Sequence, residues 1–527
     1  MSITEAEKIV KFRIQRFDPS KDKKPYFKEY EVPIVKGTTI LDALIYIKQN
    51  LDSTLSLRYS CRMGICGSCA MVINGIPRLA CETQVLQLGE DIIEIQPLSS
   101  FPQIRDLITD FKVFFDKHKK VKSFLIRRDI EEQFNPKSEY LQPRERLKEV
   151  LPYTRCIACG ICYASCPVII KNEGFLGPEA LAKAYRYIGD SRDEGVEERI
   201  PTLEEYPYGC WSCTTCSTCK LNCPKEVSGV DSAINIRSIM IEKGKIQPTL
   251  RDALESMYLH GNPWGRIRDK RSAWIQDQNL SIKDFTKDEK AELCWFVGCT
   301  PAYDPRVQQV AGALARILQR VNTDFGILGN EETCCGNEAY NVGEMGLFDE
   351  LKEANLKLFE KYNIGRVITT SPHCYNAFKN RYGKISFEVQ HYTQYLAELI
   401  DKGKLKFSRK IEKIVTYHDP CYLGKINEVY EAPRKIIENI SGVRFEEMPR
   451  SKRMSLCCEG GGGLMWMDVP TPRLGEFRVE EAVEVGAEII LVSCPFCLIN
   501  LEDAVKTTGK EDKVKVLDIA EFLSEVI

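Results

Sequence analysis

The chain has 527 residues, 43% of them hydrophobic, and its 75 acidic and 73 basic side chains leave a net charge of −2. A chain of this length divides into several domains, and the charge balance gives no reason to expect nucleic acid as a partner. It contains no run of about 18 apolar residues and no signal-peptide pattern, so we expect a cytoplasmic protein without a transmembrane segment.

The 23 cysteines are the most unusual feature of the composition. A reducing compartment argues against a disulfide framework. Most of the cysteines stand in close groups with short, repeated gaps, and this spacing indicates metal ligation.

Residues 1–104 predict a small α+β domain of the β-grasp type. Strand-like alternation in KFRIQRF and KEYEVPIV precedes the amphipathic stretch TILDALIYIKQNL, the strand AMVINGI with its Asn-Gly turn, and IIEIQPL. The domain carries four cysteines with the spacing C-x4-C-x2-C plus one, which is typical of plant-type 2Fe–2S ferredoxins. These predicted ligands are Cys61, Cys66, Cys69 and Cys81. A zinc site is the alternative, although zinc usually takes two compact pairs.

Residues 105–285 have a helical apolar period, interrupted by two runs of the form C-x2-C-x2-C-x3-C-P. In bacterial ferredoxins the fourth cysteine of such a run ligates the other cluster. We therefore predict one 4Fe–4S cluster on Cys156, Cys159, Cys162 and Cys223, and a second on Cys166, Cys213, Cys216 and Cys219. Cys210 is left over, and we interpret it as a structural thiol.

From about residue 286 the pattern changes to β/α alternation, with short apolar strands that end in cysteines. It repeats internally, so we predict a duplicated α/β module over residues 286–408 and 409–527. Cysteines at the carboxyl ends of such strands lie where open α/β sheets place their sites. The first copy carries Cys299, Cys334, Cys335 and Cys374, and the second carries Cys421, Cys457, Cys458, Cys494 and Cys497.

The two copies differ in their cysteine number. Five thiolates exceed what a cubane or a zinc ion requires, so the second copy indicates an unusual iron–sulfur cluster. In the first copy Ala377 occupies the fifth position. That module either holds a four-ligand cluster or is a structural relic, and we favour the relic.

Other residues near these cysteines are candidates for supporting roles. His373 and His418 precede cluster cysteines and could handle a proton, although a hydrogen-bonded loop histidine is the more common case. Gly460 and Gly461 could admit a substrate close to the backbone. Cys294 lies in a predicted strand and is expected in the core.

No nucleotide-binding motif is present: the chain has neither a P-loop nor a Gly-x-Gly-x-x-Gly after an early strand. Chemistry on a carbon–carbon double bond needs a hydride donor, which one-electron clusters cannot supply. Any such reaction would require a flavin in a partner subunit.

Residues 1 to about 230 resemble the iron–sulfur subunits of succinate dehydrogenase and fumarate reductase. The likeness is carried by RYSCRMGICGSC, PRLAC, FPQIRDLITDFKVFF and CIACGICYASCP. It implies contact between the 2Fe–2S domain and a flavoprotein subunit that holds FAD. One departure is Cys216: many members of that family lack this cysteine and carry a 3Fe–4S centre there, so we predict 4Fe–4S instead.

The C-terminal repeats resemble the CCG domains of the B subunit of heterodisulfide reductase, in which this motif holds a non-cubane 4Fe–4S cluster. The two halves together are similar to the iron–sulfur subunits of thiol:fumarate reductases. That resemblance implies oxidation of coenzyme M and coenzyme B thiols and electron transfer to the FAD of the flavoprotein, or A, subunit of fumarate reductase, where fumarate becomes succinate. Two alternatives stay open, namely a succinate or fumarate:quinone oxidoreductase and a zinc-bound scaffold.

Overall fold

The computed structural model describes residues 8–527 and divides them into two compact units. The first unit contains the residues up to Ser212 together with Ser217–Ile236, and the second contains Cys213–Cys216 together with Arg237–Ile527. The protein is a mixed α/β molecule.

The first unit begins with a five-stranded sheet in the order β2-β1-β5-β3-β4. Strand β1 is antiparallel to β2 and parallel to β5. Asn74 and Gly75 have φ of 47° and 73° and form the two-residue turn between β3 and β4. The elements are β1 (Lys8–Arg16), β2 (Tyr26–Ile34), α1 (Ile40–Tyr46), β3 (Ala70–Ile73), β4 (Ile76–Leu79), α2 (Val85–Leu88) and β5 (Ile92–Gln96).

A short hairpin and a helical region follow this sheet. The hairpin comprises β6 (Gln103–Arg105) and β7 (Ile108–Thr109). The helices are α3 (Lys112–Lys120), α4 (Ile130–Phe134), α5 (Arg144–Thr154), α6 (Ile161–Ala164), α7 (Pro167–Lys171), α8 (Pro178–Ile188), α9 (Val196–Glu204), α10 (Thr218–Leu221), α11 (Gly229–Glu242), α12 (Pro248–His260) and α13 (Ala273–Asp277).

The first C-terminal module is built on a parallel sheet in the order β12-β11-β9-β10-β8. Its strands are β8 (Lys283–Asp284), β9 (Leu293–Phe296), β10 (Phe325–Ile327), β11 (Arg366–Thr369) and β12 (Glu388–His391). Its helices are α14 (Cys299–Tyr303), α15 (Pro305–Arg320), α16 (Asn337–Val342), α17 (Met345–Lys361), α18 (Pro372–Asn376) and α19 (Tyr392–Asp401).

The second module has a parallel sheet in the order β14-β13-β15-β16. Its elements are β13 (Lys413–Tyr417), α20 (Glu431–Glu438), β14 (Val443–Phe445), α21 (Leu474–Glu484), β15 (Ile489–Val492), α22 (Pro495–Thr507), β16 (Lys515–Asp518) and α23 (Ile519–Ser524). With β9 equivalent to β13 and β11 to β15, the strand order matches that of the first module, apart from the extra strand β8.

Both modules share one hydrophobic core, which includes Trp295 and Ile368 from the first sheet and Val415 and Ile490 from the second. Arg306 of α15 adds a polar link, because its guanidinium lies 2.7 Å from Glu502 and 2.6 Å from Glu521. The two modules therefore form one packed body. Among residues 8–527, no helix has the length and apolarity needed to cross a membrane.

Candidate iron–sulfur sites

In the loop between α1 and β3, several backbone N–H groups point at cysteine sulfur atoms. The N–H groups of Ile65 and Cys66 lie 3.3 and 3.2 Å from Sγ of Cys61, and the N–H of Gly64 lies 3.3 Å from Sγ of Cys81. A backbone hydrogen bond from Cys61 lowers the pKa of the Cys66 thiol to about 6. Amides that point at sulfur stabilise thiolate, which is the metal-binding form. This loop therefore fits the predicted 2Fe–2S cluster.

Gly67, in the same loop, lies directly against the first ferredoxin-type run. It has a φ of +73°, and a Cβ placed on it would lie 2.7 Å from Cβ of Cys159. Only a glycine allows this approach. The loops that carry the two predicted ligand sets therefore touch each other within the first unit.

Cys156, Cys159, Cys162 and Cys223 line one cavity in the first unit. Burial raises the pKa of the Cys159 thiol to about 12 and also raises that of Cys162. Four partly buried thiols gathered around one space fit a group that would bind them as thiolates. The ligand set predicted from the interleaved runs is therefore brought together.

The other predicted cubane set is divided between the two units: Cys166 and Cys219 belong to the first and Cys213 and Cys216 to the second. Within the second unit, the segment Cys213–Cys216 packs on the second module. The Thr215 hydroxyl lies 2.9 Å from that of Tyr422, and Arg237 donates to the carbonyl oxygens of Cys213 and Gly462 at 2.6 and 3.2 Å.

The glycine run of the second module allows this packing. A Cβ on Gly461 would lie 3.1 Å from the carbonyl oxygen of Thr214, and a Cβ on Gly462 would lie 2.6 Å from that of Cys213. Gly460 instead faces Phe496, at 2.9 Å from its Cβ. The glycines therefore bring the Cys213–Cys216 segment close to the cysteines of the second module.

The five cysteines of the second module form one buried group. Hydrogen-bonding contacts link them in the order Cys421, Cys457, Cys458, Cys497 and Cys494. Sγ of Cys458 lies 3.3 Å from Sγ of Cys497. Burial opposes ionisation of Cys494, but hydrogen bonds from Cys497 and His373 outweigh it and lower the pKa of that thiol to about 5.

A second histidine, His418, follows β13 and is also buried. One of its ring nitrogens and the sulfurs of Cys458 and Cys497 lie within 4.8 Å of one another. Nε of Arg478 donates to Nδ1 of His418 at 3.2 Å, whereas Nη2 of Arg478 is buried without a hydrogen-bond partner among the described residues. Glu481, at 2.6 Å, balances the charge of Arg478, but a buried donor without an acceptor is still costly. The donor set therefore fits an anionic iron–sulfur cluster.

His373 belongs to the first module but reaches the second. Its ring packs on Tyr422 and Phe496, with ring centroids 4.4 and 4.7 Å away, and its Nδ1 lies 2.8 Å from a carboxylate oxygen of Glu338. Burial disfavours the charged ring, but hydrogen bonds with Cys494 and Glu338 raise the pKa of His373 to about 9. The imidazole thus joins the two cysteine-bearing modules.

The first module gathers its four cysteines as well. Hydrogen-bonding contacts join Cys299 to Cys334, Cys334 to Cys335, and Cys335 to Cys374, and all four are buried. Arg271 lies 3.6 Å from Sγ of Cys299 and 2.5 Å from the carboxylate of Glu332. Ala377 is fully buried where the second module has its fifth thiol. Four ligands and a counter-charge are therefore present.

Sequence reasoning missed the buried charged residues around these cysteines. Arg271, Glu332, Glu338 and Arg478 are each no more than 5% exposed. Glu332 and Glu338 flank the Cys334–Cys335 pair in sequence, which is a signal that could have been used. Arg271 and Arg478 lie far from any motif, and only the folded chain brings them to the cysteines. Cys294 lies in β9 and is 1% exposed, as expected for a core residue.

Known domains cover most of these sites. A 2Fe–2S iron–sulfur cluster binding domain matches residues 11–116, and a 4Fe–4S dicluster domain matches residues 152–227. A cysteine-rich domain matches twice, over residues 293–379 and 415–502. Together with the grouped thiols, these matches define the protein as an iron–sulfur oxidoreductase of the electron-transfer type.

Relatives of known sequence narrow this class. An uncharacterised iron–sulfur protein of Methanocaldococcus jannaschii is 31% identical over 98% of this chain and 100% of its own length. The B subunit of fumarate reductase (CoM/CoB) from Methanothermobacter marburgensis is 29% identical over 98% of this chain and 99% of its own. The chain belongs to the family of these archaeal iron–sulfur proteins and is a homologue of that fumarate reductase subunit.

Other relatives share only part of the chain. The D subunit of dihydromethanophenazine:CoB–CoM heterodisulfide reductase from Methanosarcina barkeri is 32% identical over 72% of this chain and 95% of its own length. The probable iron–sulfur-binding oxidoreductase FadF of Bacillus subtilis is 34% identical over 72% of this chain. The matched region covers 61% of the length of FadF.

Proposed function

We propose that the protein is the cytoplasmic iron–sulfur subunit of a thiol-dependent fumarate reductase. In this proposal, coenzyme M and coenzyme B thiols are oxidised to their mixed disulfide at the second C-terminal module. Two thiols release two electrons and two protons when they form one disulfide. The electrons pass to the FAD of a flavoprotein subunit, where fumarate takes up two electrons and two protons and becomes succinate.

One observation carries this proposal: five buried thiols of the second module lie beside the Cys213–Cys216 segment. That segment supplies two predicted ligands of a 4Fe–4S cluster, and it packs on Tyr422, the residue next to Cys421. A thiol-reactive group and an electron carrier would therefore be bound by neighbouring parts of one unit. The likeness to the B subunit of fumarate reductase (CoM/CoB) over nearly the whole chain supports the reaction.

We assign four cysteine sets to clusters in this function. Cys61, Cys66, Cys69 and Cys81 would bind 2Fe–2S; Cys156, Cys159, Cys162 and Cys223 would bind 4Fe–4S; Cys166, Cys213, Cys216 and Cys219 would bind a second 4Fe–4S; and Cys421, Cys457, Cys458, Cys494 and Cys497 would bind a non-cubane 4Fe–4S. When bound, these clusters supply one-electron transfer and, in the last case, a metal centre for sulfur ligands. The chain's own contribution is to gather the thiols, to bury those of the second C-terminal module and to keep adjacent loops in contact.

We also assign a four-ligand cluster to the first module. Four buried thiols with Arg271 against Cys299 favour it over a structural relic, since a guanidinium beside a sulfur stabilises thiolate.

The flavoprotein would meet the loop around the first cysteine set. Met63 and Ile65 are 69% and 60% exposed there, and Cys66 is exposed as well. Apolar side chains exposed beside predicted cluster ligands fit a protein–protein contact, because they bring the predicted cluster to the surface where an electron acceptor can approach.

Anaerobic reduction by thiols tests this function. We expect coenzyme M and coenzyme B together to reduce the clusters, as followed by electron paramagnetic resonance, and either thiol alone to reduce them far less. With the flavoprotein added, the mixed disulfide and succinate should form in equal amounts. A failure of the thiols, together or singly, to reduce protein that dithionite does reduce would refute the proposal.

A membrane hydroquinone is the second candidate electron donor. The observation that favours it is the similarity to an EtfAB:quinone oxidoreductase of Syntrophomonas wolfei, 30% identical over 71% of this chain and 58% of its own length. A water-soluble hydroquinone analogue in the same assay separates the two: cluster reduction by the analogue and not by the thiols would support this alternative.

A further inference from the structure

The internal repeat shows which residues distinguish the second module from the first. Cys299 and Cys421 are equivalent, so Phe296 and His418, each three residues earlier, are equivalent too. Cys374 and Cys494 are equivalent, and hence so are Ala377 and Cys497. At these two places the second module carries a polar side chain where the first carries an apolar one.

These two differences lie next to each other in space. A ring nitrogen of His418 and the sulfurs of Cys497 and Cys458 are within 4.8 Å of one another, and the two sulfurs are 3.3 Å apart. In the first module, Phe296 packs edge-on against Phe378 at a centroid distance of 4.8 Å. The histidine and the additional thiol therefore form one local group of side chains, which the first module lacks.

Arg478 fixes the tautomer of this histidine. A guanidinium has donors only and keeps its protons, so Nδ1 of His418, 3.2 Å from Nε of Arg478, must be an unprotonated acceptor. The neutral ring then carries its proton on Nε2. Arg478 is itself held by the carbonyl oxygen of Arg450 and by Glu481, both at 2.6 Å.

We propose that His418 is a fixed hydrogen-bond donor to the Cys458–Cys497 thiolate pair, with Arg478 as the positioning residue, and that it raises the reduction potential of the centre in the second module. An N–H aimed at sulfur stabilises the extra negative charge of the reduced state, and hydrogen bonds to cluster sulfurs are a main determinant of potential. This inference rests on the proposed function in one respect: a higher reduction potential would let this centre accept electrons from thiols.

His418 is accordingly a donor of a hydrogen bond and not a carrier of a proton. Its Nδ1 already accepts a hydrogen bond from Arg478, so that nitrogen is not available to take up a proton. The sequence alone left proton handling open for this residue, and the geometry favours the other role.

Two substitutions at one position test the proposal in the anaerobically purified full chain. His418→Phe installs the residue that the first module carries at the equivalent place, and His418→Gln retains an N–H donor. We expect the midpoint potential of the second-module centre to fall in the Phe variant and to stay closer to wild type in the Gln variant. Equal potentials in wild type and His418→Phe, with iron content unchanged, would overturn the proposal.

A measurement that does not depend on assembly of the Phe variant uses isotopically labelled histidine nitrogen and pulsed electron paramagnetic resonance. In a His373→Gln background, His418 is the remaining histidine placed by the structure against the second-module thiols. A weak nitrogen coupling is expected from a hydrogen bond. A coupling as strong as that of a coordinated imidazole, or no coupling, would reject the donor role.

These readouts are independent of the thiol reaction. If thiols fail to reduce the wild-type clusters while the potential still falls in His418→Phe, the proposed function fails and this inference stands. If thiols do reduce the clusters and the potential is unaffected by His418→Phe, the reverse holds.

Discussion

At the scale of single residues, Gly67 shows how one missing side chain brings two predicted clusters together. We expect Gly67→Ala to destabilise the protein, because a φ of +73° costs an L-residue about 1–2 kcal/mol and the new Cβ would meet Cys159 at 2.7 Å. The overlap should also disturb both neighbouring cysteine loops. Thermal unfolding and the spectra of the 2Fe–2S and 4Fe–4S centres measure the two effects.

Gly75→Ala is the matched control. Gly75 has the same φ of +73°, but a Cβ there would meet nothing within 4 Å. It should therefore cost only the backbone strain and leave the cluster spectra unchanged. If the two variants behave alike, close contact between the loops is not what requires glycine at position 67.

The cysteines of the second module allow a similar comparison. We expect Cys457→Ala to remove the spectroscopic response to thiols, since Cys457 links Cys421 to Cys458 in the group of five. Cys294→Ala removes an equally buried thiol from β9 outside that group and should leave the response intact. A wild-type response in Cys457→Ala would show that the thiol site lies elsewhere.

Sequence spacing indicated which cysteines come together in the fold, but it did not indicate which charged residues lie beside them. Short motifs fix local geometry, so the set around Cys156 could be predicted and indeed lines one cavity. Arg478 occupies an ordinary position in α21, and its meeting with His418 depends on helix packing that no local pattern encodes. Long-range contacts of this kind become visible only in the folded chain.

At the scale of secondary-structure elements, the N-terminus of α23 predicts a pH effect. Asp518 caps this helix by accepting from the N–H of Ala520 at 2.9 Å, and it also accepts from Tyr392 at 2.7 Å. Burial raises the pKa of its carboxyl from 3.8 to about 8. The folded state thus keeps a proton that the unfolded state loses, so stability from this group falls as the pH rises between these two values.

We expect Asp518→Asn to flatten that part of the pH dependence. The amide oxygen can still accept both hydrogen bonds but does not ionise, so the melting temperature should decline less between about pH 4 and pH 8. Thermal unfolding over this range in both proteins is the measurement. Parallel pH profiles would show that Asp518 does not ionise with a raised pKa.

Elements were predictable where local chemistry is strong. The Asn-Gly pair required the turn between β3 and β4, and the β/α alternation anticipated the two parallel sheets. Within the amphipathic stretch TILDALIYIKQNL, α1 ends at Tyr46 and a π-helical turn covers Ile47–Leu51. There the N–H of Asp52 bonds to the carbonyl of Ile47, and Lys48 bonds to that of Leu55, so nearby loop contacts decide the outcome.

At the scale of the whole molecule, iron content distinguishes filled from empty modules. Because the first module gathers four buried thiols, we expect about 18 iron atoms per chain in anaerobically purified protein, against about 14 if only the second module is filled. Cys335→Ala should lower the iron count by about four. The reduction of the remaining clusters by thiols can then be measured in this variant. A wild-type count near 14 would restore the structural-relic interpretation.

The division into two units was the least predictable feature at this scale. The sequence places Cys213 and Cys216 in a ferredoxin-type run, and the domain match from 152 to 227 does the same. In the fold these residues join the second unit, because Arg237, Tyr422 and the glycine run hold them there. Sequence similarity groups residues by ancestry, whereas compactness groups them by packing.

Because Cys213–Cys216 belongs to the second unit, we expect that the ferredoxin-like half cannot be removed from the chain as an independent domain. A chain ended at Ile236 would keep all the cysteines of the two runs but lose the surface on which Cys213–Cys216 rests. Exchange of the cysteine-rich half between relatives, in a laboratory or over evolutionary time, would have to preserve the glycines that receive this tetrapeptide. A ferredoxin-like half made without the glycines would need a different surface to receive these four residues.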